Sequence, residues 1–353
     1  MLRKTVTFAG QPTTVGKQLL QAEIWSPGPG ADLLVWVHSG GVIAGSRLHR
    51  SHDLLAEEIG KVGYATAFID YRLARSGPVL QPETLDAQPD LQRLSAANSH
   101  GLNPKFHAPR ALAAMEDTCA FLNWISMHGS EFDLSGRLLL GGSSAGAITA
   151  LNTLLLAPMI GLQRPEIETV FSFSGGYAYG DFQAETSARI LAINSESDER
   201  IDIQSIRALA AKRGPTMQLI EEKSYQHGEI CLTPAEPIRD AVARMVAFDQ
   251  PGAGGDPLSV PGTLLPRGPT LSYSEIITSF DIRIPFDPRL ITPRIEAPLR
   301  RNRYETGEVR AMRSILRNGD RLLELGSGIG LLSTIAAKPR VLKPLPPSRP
   351  PLI

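Results

Sequence analysis

Ser144 stands in Gly142-Ser143-Ser144-Ala145-Gly146, a G-x-S-x-G pattern between the apolar stretches RLLLG and AITALNTLLL. A serine hydroxyl attacks a carbonyl only when a base takes its proton, and base and substrate must both reach it. A tight strand-to-helix turn meets that need. Backbone strain lifts the hydroxyl above the sheet, flanking glycines avoid clashes, and the helix N-terminus favours developing negative charge. In a chain with 32 glycines the five-residue pattern alone is weak, an ordinary glycine turn being the competing reading. The strand-like and helix-like flanks give it weight.

Acyl transfer also needs backbone N–H groups aimed at the oxygen of a tetrahedral intermediate. His38-Ser39-Gly40-Gly41 directly follows the apolar run Leu33–Val37, and its glycines allow close main-chain approach. The expected donors are the amides of Gly40, Gly41 and Ala145. By itself the segment reads equally well as a glycine turn with a structural histidine. The base and its orienting acid are sought in late loops. His227 lies in SYQHGE and Asp198 in SESDER, with Glu196 and Glu199 as competing acids. Taken singly, His227 reads as one of seven histidines on the surface and the three acids as solvated charges. Together, serine, acid and histidine make a triad in a consistent order.

These residues need a frame. From Leu19 to Ile220, strand-like and helix-like stretches alternate, which predicts a mostly parallel sheet with helices on both faces. Strands are predicted at Leu33–Val37, Tyr64–Asp70, Arg137–Gly141, Glu168–Phe173, Arg189–Asn194 and Met217–Glu221. A helix opens at Ser51 with Leu54, Leu55 and Ile59 on its apolar face, closed by Gly60 and Gly63. A second starts at Pro109 with a stripe of Leu112, Met115, Cys119 and Leu122. A third is expected from the capping box Thr233-Pro-Ala-Glu236 to about Phe248. Residues 75–107 are polar and too long for a simple connection, so they read as a lid-like insertion. The Gly/Pro-rich residues 251–272 read as a linker.

The 36 Lys plus Arg equal the 36 Asp plus Glu, so no net field draws the chain to nucleic acid or anionic lipid. The arginines at 300, 301 and 303 read as a solvated helix start. Hydrophobic residues make up 42%, as in globular proteins, and no apolar run is long enough to span a membrane. Two cysteines cannot build a disulfide framework, and the N-terminal stretch lacks the apolar core of a signal peptide. A cytoplasmic protein is expected.

HSGGVIAGS, IDYRLA, GGSSAG and the DER and QHGE loops resemble the hormone-sensitive-lipase-like branch of α/β-hydrolase esterases over residues 15–250. Related carboxylesterases, feruloyl or acetyl esterases and arylformamidases share the pattern. The resemblance implies an α/β-hydrolase fold over residues 1–250 and a Ser144–Asp198–His227 triad. It also implies a small-molecule ester substrate and no cofactor or metal. Three positions depart from the branch: Ser39 replaces its usual glycine, Val42 an aromatic, and Arg75 follows YRLA in place of a proline.

Beyond the linker, Glu324-Leu-Gly326-Ser-Gly328-Ile-Gly330 follows a strand-like run and precedes LLSTIAAK. Such a turn suits a nucleotide-like ligand. The stretch resembles the first motif of S-adenosylmethionine-dependent methyltransferases, and Arg301 to Gly330 resembles the FkbM type. Glu324, Gly326, Gly328 and Gly330 are thus vestigial cofactor-site candidates in an incomplete, Rossmann-like fragment spanning 273–338. A ribose-binding carboxylate is expected about 20 residues on. No Asp or Glu occurs from Leu325 to Ile353, and the tail 339–353, expected to be disordered, holds six prolines. The sequence therefore predicts an ester hydrolase with a truncated methyltransferase start. An amidase or arylformamidase of the same fold, or a fusion with a non-functional methyltransferase part, are the alternatives. Acyl group, alcohol group and oligomeric state are not readable.

Overall fold

The computed structural model describes residues 1–250, 275–280, 282–286, 291, 293–304, 307 and 309. The chain divides into two compact units, Met1–Pro261 and Gly262–Ile353, and the dividing point falls inside the 251–272 segment.

The first unit is built on an eight-stranded sheet. Its strands are β1 (Leu2–Thr13), β2 (Gly16–Ser26), β3 (Ala31–Val37), β4 (Ala65–Ile69), β5 (Leu134–Ser143), β6 (Thr169–Phe173), β7 (Arg189–Asn194) and β8 (Met217–Glu221). They lie in the order β1-β2-β4-β3-β5-β6-β7-β8. β2 pairs antiparallel with β1 and β4, and every later pairing is parallel. The helices are α1 (Arg50–Lys61), α2 (Pro82–Asn98), α3 (Pro109–His128), α4 (Ala145–Leu151), α5 (Gln204–Arg213) and α6 (Ile238–Asp249). Strands β3, β4, β6 and β7 and the second half of β5 are short and apolar because helices cover both of their faces. One face buries Val35, Leu140, Val170 and Ile190 with α3 and α4, and the other buries Trp36, Phe68, Phe171 and Leu191 with α1 and α6.

Several expectations are corrected. The β1–β2 hairpin was not foreseen. Its turn at Gly16 needs a φ of 126°, which glycine supplies. Residues 75–107 are not a polar loop, since α2 fills most of them despite Pro89 inside it. Helix α5 was also missed. The helix expected from Thr233 starts at Ile238, because the Glu236 carboxylate turns to the Arg244 guanidinium and the Leu232 amide instead of capping. Leu54 is exposed, so the apolar face of α1 is His52, Leu55, Ala56 and Ile59. The α3 stripe is buried as its periodicity requires, and burial pushes the Cys119 thiol up to about 12, leaving it inert.

In the second unit, β9 (Ile276–Ser279) and β10 (Ile282–Pro285) form an antiparallel hairpin followed by α7 (Pro293–Arg300). Ile277, Ile282, Ile291, Leu299 and Val309 make its small core. Arg300 ends a helix instead of starting one, and it pairs with Glu296 and Glu275. Glu324, Gly326, Gly328 and Gly330, the 251–272 segment and the 339–353 tail lie outside the described residues. Among the described residues, no helix is long and apolar enough to cross a membrane.

Candidate active site

Ser144 sits between the end of β5 and the start of α4 with φ 55° and ψ −118°, a conformation that side chains other than glycine rarely adopt. The turn tolerates no bulk around it. A Cβ on Gly142 would lie 2.5 Å from the Gly146 carbonyl carbon, and one on Gly146 would lie 2.0 Å from the Val37 oxygen. The flanking glycines are therefore a packing requirement. The Ser144 N–H donates to the Phe173 carbonyl at 2.8 Å, which ties the elbow to β6.

His227 comes from the loop after β8. Its Nε2 is 2.8 Å from Ser144 Oγ and its Nδ1 is 2.6 Å from Asp198 Oδ2. Asp198 comes from the loop after β7, and its other oxygen accepts the N–H groups of Arg200 (2.9 Å) and Ile201 (3.2 Å). Burial works to raise this carboxyl. The bonds from His227 and from the two amides outweigh it and hold Asp198 below the ordinary carboxylate range. Of the competing acids, Glu196 pairs with Arg207 and Glu199 is exposed, and neither bonds His227.

The segment after β3 lines the same cleft as Ser144. Gly40, Gly41 and Val42 have φ of 117°, 64° and 56°, and the Gly40 carbonyl accepts the amides of Ile43 and Ala44, both at 3.1 Å. A Cβ on Gly40 would lie 2.0 Å from the Ala44 oxygen. Among the described residues, the amides of Gly40, Gly41 and Ala145 donate to no protein acceptor. His38 anchors the segment by stacking on Tyr71 at 4.2 Å, with Nδ1 2.7 Å from the Ser39 carbonyl. Burial pushes its pKa down to about 4, so the ring is neutral and Nδ1–H is the donor.

Ser144 and His227 open into a cleft of about 870 Å³ lined by Ile43, Leu54, Lys105, Phe106, Ile230 and Ile238 among others. Of the 75–107 stretch, Lys105 and Phe106 reach this cleft, while the body of α2 does not line it. Two groups of residues escaped the sequence reading. Ser174 bonds the His227 loop, and Arg72, Glu116 and Asp117 form a buried ionic cluster between the segment after β4 and α3. A residue at a strand end, and an arginine some 45 residues before a pair of adjacent acids, carry no spacing signal.

No protein-family model and no curated sequence matches the chain. Solved structures do. Esterase Est2 of the Planctomycetes species Thermogutta terrifontis, determined with propionate bound, superposes with a TM-score of 0.51. Its identity is 14%, over 72% of this chain and 96% of that one. Esterase Est22 superposes at 0.50 with 16% identity, over 71% of this chain and 81% of its own. This is an α/β-hydrolase fold. The α/β-hydrolase likeness is one of architecture: a mixed, mostly parallel sheet flanked by helices.

Proposed function

We propose that the first unit is a serine hydrolase that cleaves a carboxylic ester through an acyl-Ser144 intermediate. The observation that carries the proposal is the continuous hydrogen-bonded line from Ser144 Oγ through His227 to Asp198. His227 Nε2 takes the proton as Ser144 Oγ bonds to the carbonyl carbon. The carbonyl oxygen becomes an oxyanion held by the amides of Gly40, Gly41 and Ala145. His227 then gives the proton to the departing alcohol. A water repeats the cycle in reverse and frees the acid. Asp198 stays ionised, fixing the imidazole tautomer and balancing its positive charge.

The amide reading of the same site shares every one of these steps, so substrates must separate the two. An ester panel from acetate to octanoate, with matched anilides, is run on wild type and Ser144→Ala. Ester turnover that falls by four or more orders of magnitude in Ser144→Ala is expected, on the order known for such knock-outs. Undiminished turnover in Ser144→Ala contradicts the proposal, and anilides cleaved faster than esters turn it into an amidase. Ser143→Ala costs far less.

Residues 1–250 form the hydrolase domain in this proposal, and a chain ending at Gln250 keeps its ester turnover. Residues Leu325–Ile353 hold no acidic side chain at the spacing expected of a ribose ligand, so no saturable binding of S-adenosylmethionine is expected. Calorimetric titration with S-adenosylmethionine checks that. The proposal places the protein inside the cell, consistent with Cys119 and Cys231 both being unpaired.

A further inference from the structure

Phe173 and Ser174, where β6 ends, lie in no catalytic motif, yet they bond all three segments that carry Ser144, Asp198 and His227. The Phe173 carbonyl accepts the Ser144 N–H at 2.8 Å. The Ser174 N–H donates to the Ile193 carbonyl at 2.8 Å, on the strand that leads into the Asp198 loop. Asn194, next on that strand, donates its Nδ2 to the Gly175 carbonyl at 3.0 Å. Ser174 Oγ accepts the Gly228 N–H at 2.9 Å, one residue beyond His227. Gly228 itself lies directly on the elbow, since a Cβ there would be 3.8 and 3.9 Å from the Cβ atoms of Ser143 and Ser144.

Ser174 is fully buried and has a φ of 51°, in the left-handed region where glycine is free of strain and serine is not. The chain uses glycine at the two positions that follow, Gly175 and Gly176. At position 174 it keeps a side chain in an unfavourable backbone conformation. The hydroxyl is the feature that serine adds, and on the His227 loop it meets the Gly228 amide and the Tyr225 hydroxyl. We propose that Ser174 is a positioning residue whose hydroxyl fixes the His227 loop so that the imidazole sits between Ser144 and Asp198. The inference rests on the hydrolase reading of those three residues.

Two variants separate the hydroxyl from the backbone strain. Ser174→Gly removes both, and Ser174→Ala removes the hydroxyl alone. Ser174→Gly is expected to melt at or above the temperature of Ser174→Ala. Both should nevertheless lose roughly ten- to a hundredfold in kcat, with KM within about twofold of wild type, because small misplacement of a base is costly. A purely structural role would make activity follow stability, with Ser174→Gly the healthier enzyme. Wild-type kcat in Ser174→Gly overturns the inference, and if only one variant folds, its kcat decides. Ser144→Ala is measured in parallel. Full activity there overturns the hydrolase reading together with this one, whereas loss at Ser144 with full kcat in Ser174→Gly overturns this one alone.

Discussion

Asp198 and Asp117 are both buried carboxylates with nitrogen partners, and they sit on opposite sides of the ordinary carboxylate range. Asp117 faces Arg72, whose N–H and Nε reach it at 2.7 and 2.9 Å, while Arg72 Nη2 reaches Glu116 at 2.6 Å. All three side chains are wholly buried, so one guanidinium serves two carboxylates. Burial dominates there and pushes Asp117 up to about 6. Asp198 is pushed the same way by burial, but His227 and two loop amides aim donors at it and bring it down. The contrast separates a carboxylate that the proposed chemistry needs ionised from one that holds the frame together. A turn of backbone N–H groups keeps Asp198 ionised beside the imidazole. The Arg72 cluster instead pins the end of β4 to α3, to Pro12 at the end of the β1 strand and to Val79.

Breaking the Asp198 side of this comparison has the larger effect. Asp198→Asn leaves a neutral side chain against Nδ1, stabilises the wrong tautomer and lowers kcat by about 10⁴. Glu196→Gln, on the same loop, changes kcat little, and initial-rate measurements on one short ester compare them. A severe loss at Glu196 would move the orienting role to it.

The next effect lies at the proposed oxyanion donors. Gly40→Ala forces a Cβ to within 2.0 Å of the Ala44 oxygen at a φ of 117°. Twisting that turn misaims the donors and costs on the order of 10²–10³ in kcat. Gly63→Ala is the control, because its φ of 89° is also strained for alanine but no atom stands within 4 Å. It should lower the melting temperature and leave kcat intact. Equal kcat losses in the two variants would mean that general strain, not the donors, was being read.

The smallest effect on activity and the clearest on stability come from Asp117. Its carboxyl ionises less readily in the folded chain than in the unfolded one. Between about pH 4 and pH 6 the folded state holds more protons, so this group's contribution to stability falls as pH rises through that window. The fall is at most on the order of 3 kcal/mol, which is several degrees of melting temperature. Asp117→Asn cannot titrate, so its melting temperature should lack that fall while kcat stays within a few-fold. Asp198 contributes with the opposite sign, its share being lost only as pH drops below the ordinary carboxylate range. A melting profile for Asp117→Asn that tracks wild type from pH 4 to pH 6 would show that the cluster does not exchange a proton.

The central strands and the elbow were legible because parallel strands covered on both faces must be short apolar runs, and because Gly142 and Gly146 admit no side chain. The hairpin was not. Along β1 only Phe8 is buried, so the strand lacks the apolar run that marked the others. Helix α2 was hidden by Pro89, which reads as a breaker, and by a weak apolar stripe of Leu91 with few partners. Thr233 and Glu236 match a capping box in sequence, but the Glu236 carboxylate is shared between the Arg244 guanidinium and the Leu232 amide, outside any helix start. Asp198 could be preferred over Glu196 and Glu199 only through resemblance, because three acids within four residues look alike until a loop is folded. The partnership of Arg72 with Glu116 and Asp117 spans some 45 residues and left no trace in either segment.

Which oxygen is the nucleophile decides the proposed reaction, and a serine-directed fluorophosphonate reads it directly. Wild-type protein is treated with the reagent, digested, and the adduct located by tandem mass spectrometry. One adduct per chain is predicted, on Ser144, absent from Ser144→Ala and formed far more slowly in Asp198→Asn. An adduct on Ser143, or a full chain that takes up no label while correctly folded, would contradict it.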